Sequence, residues 1–466
     1  MSEIESARIA ARLDRLPPSR TIWTIVILIS LGGVFEFYDL FFTGYVAPGM
    51  IKSGLFTPQS LGFFAKLGSI RIAGFGTFVF STFAGLWFGV VTLGHLPDRF
   101  GRRPVFTGSL IWYVTCTAIM AFQQTGEMLN IWRFIAGVGF GVQLVTIDTY
   151  ISEMIPGPER GRAFSVNQFI SFCAVPVVAL LAWWLVPLKP LDVDGWRWVV
   201  LLGSIGAALV WLIIRRMPES PRWLALKGRV SEAEDIVSML ESKVRVETGQ
   251  ALPEPRTPSI EAHGRGKFRE IFSAKYRGRT VMLSIFNMAQ VIGFYGFAAW
   301  VPTLLIARGI TLTHSLEYSF IIAIANPFGP LLGTLFADRV ERKRQILLGL
   351  IVMGLAMLAF SQARNPMLLI ALGVLFTLAA NVMSYAYHSY QAELFPTRIR
   401  ARAIGFVYSW SRIAAAFAGL AIGYFLDAGG VLAVAVFIAI AMVVGMVVIG
   451  LFGPTTNGIA LEKINQ

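Results

Sequence analysis

The sequence predicts an all-α membrane protein, with twelve transmembrane helices arranged as two pseudo-symmetric bundles of six. Three observations carry that expectation. Of the 466 residues, 55% are hydrophobic and only 14% charged, with a mean hydropathy of +0.65, a balance that excludes a water-soluble globule. Apolar runs near the roughly twenty residues needed to cross about 30 Å of hydrocarbon recur along the whole chain. Two separate motifs also repeat at one offset of 240 residues. In GHLPDRFGRR, Asp98, Arg99, Arg102 and Arg103 recur as Asp338, Arg339, Arg342 and Lys343; in DTYISEMIPGPERGRA, Tyr150, Glu153, Pro156 and Arg160 recur as Tyr390, Glu393, Pro396 and Arg400. The chain is therefore two homologous halves, which in a membrane protein implies a carrier with its site where the repeats meet.

Residues 1–21 are polar, contain Arg8, Arg12, Arg15 and Arg20 and lack a small-residue cleavage site, so they read as a cytoplasmic tail. The expected spans are 22–46, 72–93, 104–123, 129–151, 164–186 and 197–215, forming an N-terminal bundle over 22–215. A second set, 280–306, 317–337, 345–362, 367–391, 402–426 and 430–452, forms a C-terminal bundle over 280–452, with a tail at 453–466. If both termini are cytoplasmic, the great majority of the 40 Lys and Arg fall on that side, as the positive-inside rule requires. The net charge of +13 is then topological, which excludes nucleic acid as a partner and leaves the bilayer. Residues 216–279 are the hydrophilic linker. Trp223, Leu224, Ala233, Ile236, Val237 and Leu240 recur there at helical spacing, predicting a short amphipathic helix that caps the inner face. The stretch TGQALPEPRTPSIEAHGRGK is rich in Pro and Gly and reads as mobile.

Other chemistries lack their motifs. There is no Gly-x4-Gly-Lys-Ser/Thr loop. The four histidines have no metal-ligand spacing, and Cys116 and Cys173 both fall inside spans and imply no disulfide framework. No cofactor, no metal and no enzyme is expected. An intramembrane enzyme or a non-transporting receptor is the competing class, and gradient-dependent uptake separates a carrier from both.

Charges inside the expected spans are few, and each costs several kcal/mol in hydrocarbon unless it has a partner or a task. Glu36 and Asp39 lie three apart on the first helix, hence on one face. Asp39 lies about 25 Å along that helix, and Arg133 about 6 Å below the outer surface of a core roughly 30 Å thick, so their depths match. A carboxylate that is stabilised beside Arg⁺ and destabilised on desolvation can load a proton in one conformer and release it in another. A permanent Asp39–Arg133 salt bridge is the structural alternative, and Glu36 is an alternative carrier or a substrate contact. Asp148 lies about 22 Å deeper than Arg133, towards the cytoplasmic gate, and His388 occupies its repeat-equivalent position. In the second half Arg412 stands about 15 Å into its helix, near the midplane. There it requires an anion, either a substrate or an internal partner such as Glu36. Tyr295, Trp300, Tyr385, Tyr387, Tyr408 and Trp410, with Asn287, Gln290, Asn326 and Asn381, offer an aromatic and amide-rich cavity, completed by Asn167 and Gln168 from the first half.

The duplicated GHLPDRFGRR loop, the pattern Arg133-x3-Gly137-x-Gly139-x-Gly141 and PESPRWL at the end of the first half resemble the major facilitator superfamily over essentially the whole chain. RFIAGVGFG, YISEMIP with RGRA, and PESPRW resemble its sugar-porter branch. GFYGFAAWVPTLL and AELFPTRIRARAIGF are more similar to the organic-ion and metabolite–proton symporter branch. One departure is Glu341, which stands where the repeated loop normally has its second glycine.

The resemblance implies alternating access, with two bundles rocking about a central site, and a monomer in a bacterial inner membrane. It implies that Asp39 carries the proton against Arg133, as the helix-1 aspartate of proton-coupled sugar porters does, and that Arg412 matches an arginine associated with anionic substrates. Asp98, Arg99, Arg102, Arg103, Asp148, Glu153, Asp338, Arg339, Arg342, Glu393 and Arg400 are then expected as a latch, with Glu153 paired to Arg102 or Arg103 and Glu393 to Arg342 or Arg400. The expected function is proton-coupled symport of a small organic anion, a carboxylate, aromatic or aliphatic. A sugar or polyol porter and an organic-ion uniporter are the alternatives.

Overall fold

All regular structure among the described residues of this computed structural model (2–62, 74–215, 217–255, 268–336 and 340–456) is helical. The first half contains α1 (Arg20–Lys52), α2 (Gly76–Leu93), α3 (Arg102–Ala121), α4 (Gly126–Met154), α5 (Arg160–Phe172, continued by Ala174–Leu185) and α6 (Gly195–Ile214). The second contains α7 (Arg277–Ala298, continued by Val301–Ala307), α8 (Leu312–Ala323, then Phe328–Phe336), α9 (Arg342–Gln362) and α10 (Pro366–Glu393). After them comes one run of 56 residues, Thr397–Phe452, which at 1.5 Å per residue would reach about 84 Å, more than twice the hydrocarbon thickness. It is two helices, α11 (397–428) and α12 (431–452), turned at Gly429 (φ −148°, ψ 15°) and Gly430 (φ 64°, ψ −161°). Glycine adopts that last conformation at little cost.

Among the described residues, ten helical stretches are long and apolar enough to cross a membrane on their own. Dividing the last of them and adding α8 gives the twelve crossings. The expected continuous span 317–337 is corrected here: α8 is broken between Ala323 and Phe328. Pro327 has no N–H to donate and disfavours helical geometry at Asn326 before it.

The glycines after Arg133 set how closely α2 and α4 pack. A Cβ at Gly137 would meet the Thr82 carbonyl at 2.7 Å, and one at Gly141 the Leu86 carbonyl at 2.3 Å. From the other side, a Cβ at Gly85 would meet the Phe134 carbonyl at 2.2 Å, and one at Gly89 the Val138 carbonyl at 2.1 Å. Four-residue spacing puts these glycines on facing stripes, which lets the two backbones touch. That contact holds Arg133 against α1 and α2.

Residues 2–14, expected as part of a polar tail, form a helix, Ser2–Asp14. Ile9, Leu13 and Leu16 are buried with Trp223, Leu224, Ala233, Val237 and Leu240 of the linker. The expected linker helix is two helices, Pro221–Leu226 and Val230–Thr248, separated by Gly228 at φ 78°. Its apolar stripe packs on protein. Arg12 and Arg15 both reach Glu241 at 2.6 Å, and Asp14 meets Arg222 at 2.7 Å and Arg160 at 3.3 Å.

The two halves approach closely at the end remote from the linker. A Cβ at Gly44 of α1 would meet Ala299 backbone atoms at 2.8 Å, and one at Gly76 of α2 the Gly419 carbonyl of α11 at 2.8 Å. Phe75 meets Trp300 edge-on with ring centroids 5.3 Å apart, and Trp183 stacks on Phe320 at 5.7 Å. On the linker face no ion pair among the described residues joins one half to the other. The space between the bundles is therefore sealed at one end.

Candidate functional site

Asp39 and Arg133 meet inside the first bundle. Arg133, 1% exposed, donates to the Asp39 carboxylate at 2.7 Å and to the Asp39 carbonyl at 2.8 Å. It also donates to the Thr43 hydroxyl at 2.9 Å and the Thr82 hydroxyl at 2.9 Å. Phe42 lies under the guanidinium, 4.6 Å from its ring centroid. Thr117 of α3 donates to the other Asp39 oxygen at 3.1 Å. A small void of about 10 Å³, room for one water, touches Asp39, Tyr38, Tyr113, Thr117 and Ser204. The glycine stripe of α4, which brings it close to α2, holds these groups together. The supporting hydroxyls of Thr43, Thr82 and Thr117 were not singled out in the sequence, because threonine is common in spans and its partners here lie on other helices.

Arg412 lies on the wall between the bundles, 4% exposed. It donates to the Tyr295 hydroxyl at 3.2 Å and the Tyr408 hydroxyl at 2.9 Å, and packs over the Tyr408 ring at 4.7 Å. No carboxylate forms an ion pair with it among the described residues. Glu36 and Asp148 from the first half lie near enough to interact with it electrostatically, and so does His388. Asp148 is exposed although its charged neighbours are interior groups, so it faces a solvent-open vestibule well inside the bundle. Asp148 and His388, equivalent positions of the repeat, thus converge on one arginine. His388 stacks on Tyr387 at 4.2 Å and approaches Tyr408 at 5.5 Å.

The remaining expected site residues divide between wall and closure. Asn381 donates to Asn326 at 3.2 Å; both line a cavity of about 30 Å³ with Phe41, Tyr45, Phe297 and Thr377. Asn167, Asn287 and Gln290 are buried, while Gln168 is half-buried; Asn287 donates back to Leu283 at 2.8 Å. Trp300 is held in the sealed end against Phe75. Trp410 packs on Phe406 at 6.2 Å, and Tyr385 lies where a Cβ on Gly333 would touch it at 2.9 Å.

Of the expected latch, Arg102 bridges Asp98 at 2.8 Å and Glu153 at 2.6 Å, and Arg342 pairs with Glu393 at 3.1 Å. Arg103 donates to the Arg215 carbonyl, Arg400 to the Phe395 carbonyl, and Arg99 lies over the Phe100 ring. Each of these contacts stays within its own half. Asp338 and Arg339 lie outside the described residues. Glu219, which sequence reading passed over within PESPRWL, accepts the backbone N–H groups of Arg102 at 3.0 Å and Arg103 at 3.2 Å, capping the start of α3.

A helical bundle with an interior ion pair and a second, lone arginine facing a one-sided vestibule is the architecture of a secondary carrier. Residues 25–466 match the family described as sugar (and other) transporter, and the chain belongs to that family, within the major facilitator superfamily. It is a multi-pass integral membrane transporter, not an enzyme. Its relatives include the niacin transporter NiaP of Acinetobacter baylyi, 27% identical with 98% of this chain and 99% of that protein covered. The benzoate transport protein of the same species is 26% identical (87% and 84% covered), and its 4-hydroxybenzoate transporter PcaK is 27% identical (87% and 85% covered). The partially occluded inward open conformation of the xylose transporter XylE from E. coli superposes with a TM-score of 0.74 at 22% identity, covering 94% and 99%, a likeness of fold.

Proposed function

We propose that the protein is a proton symporter for small aromatic carboxylates, working by alternating access as a monomer in a bacterial inner membrane, with both termini cytoplasmic. The observation that carries the reading is Arg412: a buried guanidinium facing the first bundle, held by two phenol hydroxyls and, among the described residues, in no ion pair with a carboxylate. A cation so placed calls for an anion, and a planar carboxylate matches the guanidinium fork. Tyr295, Tyr408 and Tyr387 supply aromatic faces beside it. Three relatives are named for niacin, benzoate and 4-hydroxybenzoate, each a carboxylate on one aromatic ring, which supports the same class.

In this reading Asp39 is the proton carrier. Proton loading neutralises its carboxylate and releases Arg133 from the ion pair, so the two states of α1 against α4 differ in energy with protonation and bias the rocking of the bundles. The vestibule open on the linker face is the inward-facing state, and the Asp98, Arg102 and Glu153 cluster with its counterpart Arg342 and Glu393 forms the latch that rearranges when that face closes.

The test is uptake into proteoliposomes of labelled benzoate, 4-hydroxybenzoate, nicotinate, xylose and a polyol, with and without an inward proton gradient, for wild type and Asp39→Asn. Gradient-driven accumulation of carboxylates is expected in the wild type; the variant is expected to exchange substrate without concentrating it. Uptake of sugars alone overturns the Arg412 reading. Accumulation by Asp39→Asn moves the proton elsewhere, with Glu36 the next residue to change.

A further inference from the structure

Around one turn of α1 in the first bundle, buried hydrogen-bond acceptors from several helices gather. At that turn Gly32 and Gly33 carry no side chains; Phe106 fills the space at the first, and Ser171 and Asn167 fill it at the second. A Cβ at Gly33 would meet Ser171 Oγ at 2.4 Å and Asn167 Oδ1 at 3.6 Å. Gln143 of α4 donates its amide N–H to the Gly32 carbonyl at 3.4 Å, which leaves its carbonyl oxygen directed elsewhere. Glu36 lies one turn further along α1. All four are nine-tenths or more buried: Glu36 2%, Gln143 0%, Asn167 6% and Ser171 1% exposed. Yet Glu36 Oε1, Gln143 Oε1, Asn167 Oδ1 and Ser171 Oγ have no hydrogen-bond partner among the described residues.

Buried polar atoms are almost always paired, and a group of orphans concentrated in one place marks a partner the chain itself does not supply. The amide oxygens of Gln143 and Asn167 only accept, and so does the Glu36 carboxylate when ionised, so the missing partner is a donor. Glu36 also senses the Arg412 charge across the vestibule, and its carboxylate repels an anion while Arg412 attracts one. A ligand with a carboxylate at one end and a donor at the other is therefore oriented twice over.

Building on the assignment of Arg412 to the substrate carboxylate, we propose that Glu36, Gln143, Asn167 and Ser171 form a second anchor that accepts a hydrogen bond from a ring hydroxyl, so that the transported class is hydroxylated aromatic carboxylates. The relatives' names include ligands with and without such a hydroxyl, so the discrimination belongs to this chain's own acceptors. A site built to receive a donor rejects the analogue lacking it far more strongly than an apolar pocket rejects a change of size.

Equilibrium binding to the full-length protein in nanodiscs, with benzoate, 3-hydroxybenzoate, 4-hydroxybenzoate and 4-methoxybenzoate as probes, tests this. In the wild type at least one hydroxybenzoate is expected to bind ~10-fold or more tighter than benzoate. The methoxy analogue, which cannot donate, is expected to gain nothing. Asn167→Leu is expected to erase that preference while benzoate binding stays within about threefold, below the ~10-fold worth of one hydrogen bond. The near-isosteric Glu36→Gln, which brings a donor of its own into the cluster, is expected to weaken hydroxybenzoate relative to benzoate, even if Asn167→Leu misfolds. Equal binding of benzoate and both hydroxybenzoates, or a preference that survives in Glu36→Gln and Asn167→Leu, overturns the second anchor. If in that case Arg412→Met still abolishes binding of every carboxylate, the proposed function stands without it; if no carboxylate binds the wild type, both fail together.

Discussion

Replacing Arg133 by leucine strands a buried carboxylate. Arg133 supplies one charge-assisted hydrogen bond to the Asp39 side chain, and among the described residues the only other donor to that carboxylate is the Thr117 hydroxyl, on the opposite oxygen. Breaking a buried pair by removing one partner costs about 3–5 kcal/mol, chiefly because the remaining charge is left uncompensated. Asp39→Asn is milder. It keeps an oxygen for Arg133, and the arginine retains the Asp39 carbonyl and the two threonine hydroxyls, so the loss is roughly the 1.5–3 kcal/mol of one hydrogen bond to a charged group. In the double variant the stranded group is a neutral amide, so its cost falls well short of the sum of the two singles. A coupling of about 1–3 kcal/mol is expected, within the range found for residues in direct contact. Reversible unfolding in mixed micelles across wild type, both singles and the double measures it. Additivity within ~0.5 kcal/mol would show that the Asp39 charge is not what Arg133 holds in place, and the proton-switch reading would fall with it.

The other predictions concern the tyrosine cradle, the sealed end and the N-terminal helix. Tyr408→Phe removes a hydroxyl that accepts from Arg412 at 2.9 Å but leaves the ring. Carboxylate affinity is expected to change by roughly 2–10-fold, the worth of one hydrogen bond, while the proton dependence of uptake is unaltered; loss of proton coupling in this variant would join the two sites and refute their separation. Gly44→Val puts a side chain where a Cβ already meets Ala299 backbone at 2.8 Å. Overpacking of about 1–3 kcal/mol is expected to open the sealed end and raise labelling of a cysteine introduced behind it about 5–150-fold; unchanged labelling would mean that the close approach does not hold it shut. At Glu241, burial pushes the carboxyl up, and the hydrogen bonds and charges of Arg12 and Arg15 more than offset that, so it stays below the usual glutamate range. Its folded value lies below its unfolded one, so its contribution is full above the ordinary glutamate range and lost as pH falls through the depressed folded value. Hydrogen exchange in residues 5–14 is expected to stay slow from neutral pH down to that point. Glu241→Gln is expected to leave this helix fast-exchanging even at pH 7, and protection equal to wild type would place its anchorage elsewhere.

Much of this architecture was legible in the sequence because it is written locally. Spanning length, the glycine spacing after Arg133 and the matched depths of Asp39 and Arg133 follow from counting along single helices. The missed features depend on partners far away in the chain. Ile9, Leu13 and Leu16 do have helical spacing, but the docking of the helix Ser2–Asp14 depends on Glu241, more than two hundred residues on. The break in α8 had a visible cause in Pro327, outweighed in the reading by the unbroken apolar run around it. The acceptors around Gly33 come from three helices, and no one-dimensional pattern shows that their oxygens go unpaired.

The repeat also separates scaffold from chemistry. Residues that turn the chain at the linker face occur in both halves: Arg102 and Glu153 pair in the first, and Arg342 and Glu393, their counterparts 240 residues on, pair in the second. The interior charges are not duplicated. The position equivalent to Arg133 is Gly373, and that equivalent to Arg412 is Phe172. Duplication thus supplied two matching bundles able to rock against each other. On the function proposed above, the later divergence gave the proton to one bundle and the anion to the other. Such a division couples transport only if something reports each site to its neighbour, and the groups positioned to do so are Glu36 and Asp148, carboxylates of the first bundle that interact with the arginine of the second. Glu36 lies one helical turn from Asp39, so a substrate anion arriving at Arg412 alters the field around Glu36 and, through it, the balance between Asp39 and Arg133. Exchange of substrate without accumulation in Glu36→Gln, with Asp39 intact, is the outcome this coupling requires.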